Sequence, residues 1–313
     1  MAPAPLARAV DGLLELAVVP SFSRIGPVVR RAVGDWTDPG PDALRGRRVV
    51  VTGATSGLGA AIARRAADLG AEVDVVGRDQ ARGDGVVAEI VADGGRARFQ
   101  RTDLAELAQV EELAARLGEG DPIHALVHNA GALLPERRTS STGMEVTWAT
   151  MVAAPHLLTR RLADRVDRAI WMSSGGMYLQ PLDLTDWSWA RRPWDGTRAY
   201  AQAKRAQVDL VAEATDRGEA PLQVAMHPGW ADTPGVTDSL PGFARAMGPL
   251  LRTADEGADT ALWLATQPRE QLHAGAFYLD RRPRSTVRWP GTRTSDADRR
   301  QLRALVDEQI GLG

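Results

Sequence analysis

The chain has 313 residues, a formal net charge of -2, 44% hydrophobic and 25% charged residues, and no cysteine. That length suits one large α/β domain or two small ones, with apolar content ample for a core. The near-neutral charge implies no nucleic-acid partner, and the missing cysteines exclude disulfides, thiolate metal sites and cysteine nucleophiles.

Residues 1–46 form an extension that ends in the loop Asp38-Pro39-Gly40-Pro41-Asp42, a domain boundary. Its apolar run Leu13-Leu14-Glu15-Leu16-Ala17-Val18-Val19 is short and sits beside Asp11. No apolar run approaches the roughly 20 residues of a transmembrane helix. The basic start and small-residue cleavage site of a secretory signal are also missing. Within residues 1–35 the expectation is an amphipathic helix packed on the domain or at a subunit contact. Peripheral contact with a membrane surface is the alternative, which Arg24, Arg30 and Arg31 allow. The expected location is cytoplasmic.

Beyond the boundary, strand-like and helix-like segments alternate. Short apolar runs at 48–52, 72–77, 97–101, 123–128, 169–173, 222–227 and 276–279 are separated mostly by helical segments of about 12–20 residues. The pattern predicts an α/β, Rossmann-type, doubly wound parallel sheet of about seven strands with helices on both faces, over residues 47–280. Residues 281–313 form a tail that starts Pro- and Arg-rich and ends in an amphipathic helix over 296–310.

The stretch Val49-Val50-Val51-Thr52-Gly53-Ala54-Thr55-Ser56-Gly57-Leu58-Gly59 gives the order strand, glycine-rich turn, helix that holds a dinucleotide. Gly53 permits a tight turn, Gly57 lets backbone N–H groups approach a pyrophosphate, and Gly59 lets the helix pack close to the sheet. The helix N-terminus adds unpaired N–H groups and partial positive charge. The spacing T-G-x-x-x-G-x-G is neither G-x-G-x-x-G nor a P-loop. A merely structural glycine turn is the alternative.

After the second strand, Gly77-Arg78-Asp79 places a cation where an acidic residue would hold the ribose hydroxyls of NAD. An arginine there suits a 2′-phosphate, so NADP (NADPH) is expected over NAD. An exposed Arg78 blunted by Asp79 is the alternative. Asp103, in Arg101-Thr102-Asp103-Leu104, is placed to accept from an adenine amino group or to cap a helix starting at Leu104. Asn129-Ala130-Gly131 ends the fourth strand; its small residues let backbone approach a ligand, and the asparagine bridges strand ends. The run from His227 through Pro228, Gly229, Trp230, Ala231 and Asp232 to Thr233 offers backbone groups to a nicotinamide carboxamide, with Thr233 touching amide or phosphate. His227 reads as a packed strand-end residue rather than a base. The scattered histidines give no metal-ligand spacing.

Tyr200-Ala201-Gln202-Ala203-Lys204 opens a helix, with phenol and ammonium on one face. The ammonium is expected to lower the tyrosine's pKa from about 10, fitting it to move the proton that accompanies a hydride. Ser173-Ser174-Gly175 ends the preceding strand, where a hydroxyl can hold a substrate oxygen. Residues 175–196 carry Trp187, Trp189 and Trp194, which either wall a pocket or only pin the loop.

Four elements in order, Thr52-Gly53-x-x-x-Gly57-x-Gly59, Asn129-Ala130-Gly131, Ser174 and Tyr200-x-x-x-Lys204, make the chain resemble a short-chain dehydrogenase/reductase (SDR) over about residues 47–280. The Pro228-Gly229 turn ending in Thr233 is a fifth. Ser173-Ser174-Gly175-Gly176-Met177, Tyr200-Ala201-Gln202-x-Lys204-Arg205 and residues 227–236 are similar to the SDR family member 12 branch, as are Gly257-Ala258-Asp259-Thr260 and Asp280-Arg281-Arg282-Pro283.

The resemblance implies an NADP-dependent oxidoreductase that interconverts a carbonyl and an alcohol on a small-molecule substrate. Tyr200 is then the general acid/base. Lys204 lowers its pKa and binds the nicotinamide ribose, and Ser174 orients the carbonyl. Thr55, Ser56, Leu58 and Leu104 join the expected cofactor-binding set. Loop 175–196 and segment 234–250 would enclose an apolar, lipid-, steroid- or polyketide-like substrate. Many members pair helices into homo-oligomers, and a homo-oligomer is expected here unless the extension and tail block that surface.

One departure stands out. Many SDRs carry an asparagine in the helix after the fourth strand, supporting a water that relays protons through the lysine. Here Met151 takes that place, with its backbone carbonyl, Thr150 and Thr147 as the substitutes at hand. The rival reading is therefore an NADP(H)-binding sensor or scaffold with little catalysis.

Overall fold

The computed structural model describes residues 4–34, 36–131, 133–232, 242, 245 and 247–312, and all structural statements concern these. Strand β1 (Arg48–Thr52) is buried at every position. A strand covered on both faces needs apolar side chains throughout, which its valines supply. Its one charge, Arg48, is neutralised in place by Asp74, whose carboxylate accepts from Nε at 2.7 Å.

Strands β2 (Glu72–Gly77), β3 (Arg96–Arg101), β4 (Ile123–His128), β5 (Val166–Met172), β6 (Leu222–His227), β7 (Phe277–Leu279) and β8 (Arg282–Arg284) complete one eight-stranded sheet. The order is β3-β2-β1-β4-β5-β6-β7-β8, and only β8 runs antiparallel to its neighbour. The doubly wound parallel sheet is as expected. The order reverses between β1 and β4, which marks the carboxyl ends there as the place for a ligand.

Helices α4 (Gly57–Asp68), α5 (Gln80–Ala92) and α10 (Ala254–Thr266) cover the sheet face to which Val49 and Val51 point. Val50 points the other way, into α6 (Leu107–Glu119) and α8 (Ala154–Arg161). Between β4 and α8 lie one turn of helix, α7 (Val146–Trp148), and a π-helical turn over Ala149–Ala153. The long helix α9 (Gly196–Asp216) extends that layer, and α11 (Asp296–Gln309) packs on it through Leu302 and Val306.

β8 was not anticipated. Asp280 and Arg281 form the tight turn between β7 and β8 with φ of 51° and 62°. Such turns ordinarily announce themselves by glycine or asparagine, and neither is present. Pro283 sits on β8, an edge strand, where a missing N–H is tolerated.

The extension folds into α1 (Ala4–Leu16), α2 (Val18–Phe22) and α3 (Ile25–Val33). Its anchor is Arg30, only 1% exposed. The guanidinium donates to Asp11 at 2.7 Å, to Glu15 at 2.8 Å, to Ser21 Oγ at 2.9 Å and to Asp280 in the β7–β8 turn. Asp280 also accepts from the buried Arg252 at 2.6 Å, and Asp11 accepts from Arg284 of β8 at 2.8 Å. A buried charge is tolerable only when paired and hydrogen-bonded, so this network fixes the extension against the last hairpin of the sheet.

Candidate active site

The carboxyl ends of β1 to β6 open into one cavity of about 1010 Å³. A smaller one of about 550 Å³ lies at the opposite ends of the strands, beside Arg47, Asp121 and His124. None of the expected site residues lines the smaller cavity.

The glycine turn forms one wall. Gly53 has φ of 64°, and a Cβ there would come within 2.7 Å of Ala130 Cα. A Cβ on Gly59 would sit 2.3 Å from the Gly53 carbonyl oxygen. Gly57 starts α4 with φ of 52°. Ser56 precedes it without a side-chain capping hydrogen bond, so that side chain leaves the first-turn N–H groups to the cavity. Thr55, Ser56 and Leu58 line the same wall.

Thr52 lies behind the wall as a latch. Its Oγ1 accepts from the N–H groups of Asn129 at 3.0 Å and Ala130 at 3.2 Å. Asn129 Nδ2 donates back to the carbonyls of Thr52 at 2.9 Å and Gly53 at 3.1 Å. The asparagine thus bridges the ends of β1 and β4, while Asn129, Ala130 and Gly131 line the cavity.

Arg78 is exposed at the cavity rim and makes no ion pair among the described residues. The Asp79 carboxylate is engaged elsewhere. It caps α5 by accepting from the Arg82 N–H at 3.0 Å and pairs with the Arg82 guanidinium at 3.5 Å. Asp103 and Leu104 line the cavity, but no helix starts at Leu104. Asp103 Oδ1 accepts from the Ala105 N–H at 3.0 Å, closing a local turn, and α6 begins three residues further on at Leu107. The polar side chain caps a turn instead of a helix.

The two serines separate by role. Ser173 Oγ donates to the Lys204 carbonyl at 2.8 Å and fastens β5 to α9. Ser174 Oγ accepts from the Gly176 N–H at 3.2 Å and also hydrogen-bonds Tyr200. Lys204 Nζ lies 5.4 Å from the centre of the Tyr200 ring and donates to the Met172 carbonyl. Ser174, Tyr200 and Lys204 therefore come together in the lining of the cavity that the glycine turn also lines.

The expected electrostatics of this pair are corrected. Burial raises the Tyr200 pKa, and the hydrogen bond with Ser174 only partly offsets it. Burial also pushes the Lys204 ammonium down to about 7. Desolvation works against the charged form of both groups, and Lys204 does not pull the phenol down.

Met151 lies in the π-helical turn, fully buried. Its carbonyl, one substitute for the missing relay, accepts from Gln207 Nε2 at 2.8 Å. Gln207 Oε1 is buried without a partner among the described residues. Thr150 lines the cavity, whereas Thr147 is buried behind it.

His227, Pro228 and Gly229 line the cavity at the end of β6. Burial holds His227 well below the ordinary histidine pKa, and neither ring nitrogen has a partner among the described residues. It is a packed neutral ring, as expected. Thr233 lies outside the described residues, as do 234–241, 243, 244 and 246 of segment 234–250.

The tryptophans of loop 175–196 do not wall the cavity. Trp189 is buried beneath Arg192, 3.7 Å from its guanidinium, and packs on Trp194. Trp187 packs on Trp148. They pin the loop, and its first residues, Tyr178 to Pro181, form the wall.

Four contributors escaped the sequence reading. Phe22 of the extension lines the cavity and packs edge-on against His227 with ring centres 4.6 Å apart. A Cβ on Gly175 would come within 2.5 Å of the Phe22 ring, which explains the glycine after Ser174. Arg252 lies under the Pro228-Gly229 turn and donates to the Pro228 carbonyl at 3.3 Å. Arg288 and Trp289 of the tail complete the rim. Only long-range packing places these residues, and no local motif marks them.

The residues present fit a dinucleotide. The turn is a cradle that Cβ atoms at Gly53 or Gly59 would fill, and Arg78 is a free cation at the end of β2 among the described residues.

Comparison with known proteins agrees. The family model for short chain dehydrogenases matches residues 47–176. Human dehydrogenase/reductase SDR family member 12 is 37% identical over 251 residues, covering 78% of this chain and 79% of its own. A protein of Streptomyces sp. (strain C5), named as a daunorubicin C-13 ketoreductase, is 38% identical over 243 residues, 76% of this chain and 85% of its own. The crystal structure of a short chain dehydrogenase from Burkholderia cenocepacia in complex with NADP superposes with a TM-score of 0.60. It is 26% identical and covers 75% of this chain and 96% of that one. The chain thus belongs to the short-chain dehydrogenase/reductase family of NAD(P)-binding alcohol and carbonyl oxidoreductases, within the SDR family member 12 branch.

Proposed function

We propose that the chain is an NADP-dependent oxidoreductase that reduces the carbonyl of an apolar substrate, or runs that reaction in reverse, with Tyr200 as general acid/base. The observation that carries this reading is that Ser174, Tyr200 and Lys204 line the same cavity as the glycine turn.

A bound nicotinamide supplies or accepts the hydride. Arg78 would pair with a 2′-phosphate, the α4 N-terminus with the pyrophosphate, and Asp103 with the adenine amino group. Lys204 would hold the nicotinamide ribose. Ser174 holds the substrate oxygen through its hydroxyl, and Tyr200 Oη gives that oxygen its proton as charge develops on it. The raised pKa of Tyr200 keeps the phenol protonated, as a donor in the reductive direction must be.

The substrate half of the cavity is lined by Val18, Phe22, Tyr178, Leu179, Trp230 and Trp289, which favours an apolar molecule. The relative named as a ketoreductase supports a carbonyl as the reacting group. The assembled triad supports catalysis over a sensor role. The domain division proposed is an extension over 1–46, a catalytic unit over 47–280 and a tail over 281–313, with the flanks contributing Phe22 and Trp289 to the substrate side.

The test is titration with NADPH and NADH, read by tryptophan fluorescence, followed by turnover on a panel of apolar ketones and aldehydes. Preferential NADPH binding and turnover that Tyr200→Phe abolishes are the expected results. Failure to bind either nucleotide overturns the reading.

A further inference from the structure

The extension is amphipathic in the inverted sense. Helix α1 turns its acids inward, where Asp11 meets Arg30 and Arg284 and Glu15 meets Arg30 and Arg288. It turns its leucines outward: Leu6, Leu13 and Leu16 are 52%, 67% and 83% exposed. Their spacing, with the exposed Ala9 between, makes one stripe. Helix α3 repeats the arrangement, with Arg30 buried while Ile25 and Val28 face out. A segment serving only to pack on the domain would bury the leucines and expose the charges, because each exposed leucine forfeits its transfer free energy.

The stripe leads to the cavity. After Leu16 the chain runs into Val18 and Val19, both partly exposed, and Val18 lines the cavity. Leu179 and Trp289, 75% and 57% exposed, also line it. Contiguous apolar surface of this kind marks an interaction site.

Charge selects the occupant. The outward charges on α1 to α3 are all positive: Arg8, Arg24 and Arg31. Arg24 and Arg31 make only exposed ion pairs, with Glu256 and Asp38, which leave them available to anions. A two-fold dimer through this face would set the arginines of one copy against those of the other and close both mouths. An anionic bilayer complements leucines flanked by arginines, and a tryptophan at the rim suits its interface.

We propose that α1 to α3, with Leu179 and Trp289, dock on an anionic lipid surface and set the cavity mouth against the acyl region. An apolar substrate then enters from the membrane without crossing water. Docking stands independently of the catalytic reading, and only substrate entry rests on it.

The test uses the full chain with vesicles of phosphatidylcholine alone or mixed with phosphatidylglycerol, read by co-sedimentation and tryptophan emission. Binding to the mixed vesicles is expected, weaker on phosphatidylcholine and reduced by salt. The double variant Leu13→Asp/Leu16→Asp, both outward, should lose at least about tenfold in partition while its thermal melt and NADPH titration stay unchanged. A chain that stays in the supernatant with both vesicles overturns the proposal. So does a double variant that sediments as the parent does, or a lipid-indifferent dimer that the double variant converts to monomer. Because NADPH titration is read separately, failure of docking is distinguishable from failure of the catalytic reading.

Discussion

Replacing Lys204 with methionine should stabilise the protein at low pH and destabilise it at high pH. The Lys204 side chain is buried, and its hydrogen-bond partner is the Met172 carbonyl. No carboxylate pairs with it among the described residues. Burial lowers its pKa from 10.5 to about 7. Between those values the unfolded chain holds a proton that the folded chain has released, so stability rises as pH rises from 7 to 10.5. Below that window both states are protonated, and the folded state carries the whole desolvation penalty. Lowering that pKa from 10.5 to about 7 corresponds to about 5 kcal/mol.

Methionine removes the charge and nearly keeps the stem. It also leaves the Met172 carbonyl unpaired, which costs about 1–3 kcal/mol. Lys204→Met is therefore expected to be more stable than the parent by about 2–4 kcal/mol near pH 6, and less stable by up to about 2 kcal/mol near pH 10. Urea unfolding of both proteins across that range measures the difference directly. A difference independent of pH, or a variant less stable at pH 6, would refute the argument that burial sets the Lys204 pKa. The same variant should lose turnover, as expected where a destabilised group is kept for function.

Tyr200→Phe should cut kcat by about 10²–10⁴-fold with little change in nucleotide affinity, measured by steady-state kinetics and fluorescence titration. Arg78→Ala should weaken NADPH binding by about tenfold or more while leaving NADH binding nearly unchanged, narrowing the preference between them. Gln207→Leu strands the buried Met151 carbonyl and should cost about 1–3 kcal/mol in denaturant unfolding. Arg30→Met breaks the anchor of the extension and should cost about 3–5 kcal/mol. Because Phe22 lines the cavity, that variant should also raise KM more than it lowers kcat.

The parts of the fold legible in the sequence were those specified locally. The valine run of β1 and the glycines after it announce their own conformations, since a doubly buried strand and a positive φ each restrict residue choice at that position. Tyr200 and Lys204 were legible because helical spacing alone puts them on one face. Other features depend on distant partners. The β7–β8 turn gives only a partial signal, since Asp280 tolerates a positive φ but Arg281 does not announce one, and Arg30 and Arg252 hold Asp280 in place. Composition left the tryptophans of loop 175–196 open between walling a pocket and pinning the loop, and contacts with Arg192 and Trp148 settle Trp189 and Trp187 as pins. The sign of the Tyr200 shift was misjudged because spacing reports proximity, whereas burial, which decided the outcome, belongs to the whole fold.

The buried arginine network also sets an order of events during synthesis. Asp11 and Arg284 are 273 positions apart, and Arg30 and Asp280 are 250 apart. At about 5–20 residues per second, a ribosome takes on the order of 15–50 s to bridge such an interval. Throughout that time Asp11, Glu15 and Arg30 lack their distant partners, and Phe22 has nothing to hold it against His227. The nucleotide half of the site, built from β1 to β4, can form well before the substrate half. A nascent chain thus acquires its cradle early and its substrate wall only when residues 280–288 emerge, so the site closes last at the end that admits the substrate.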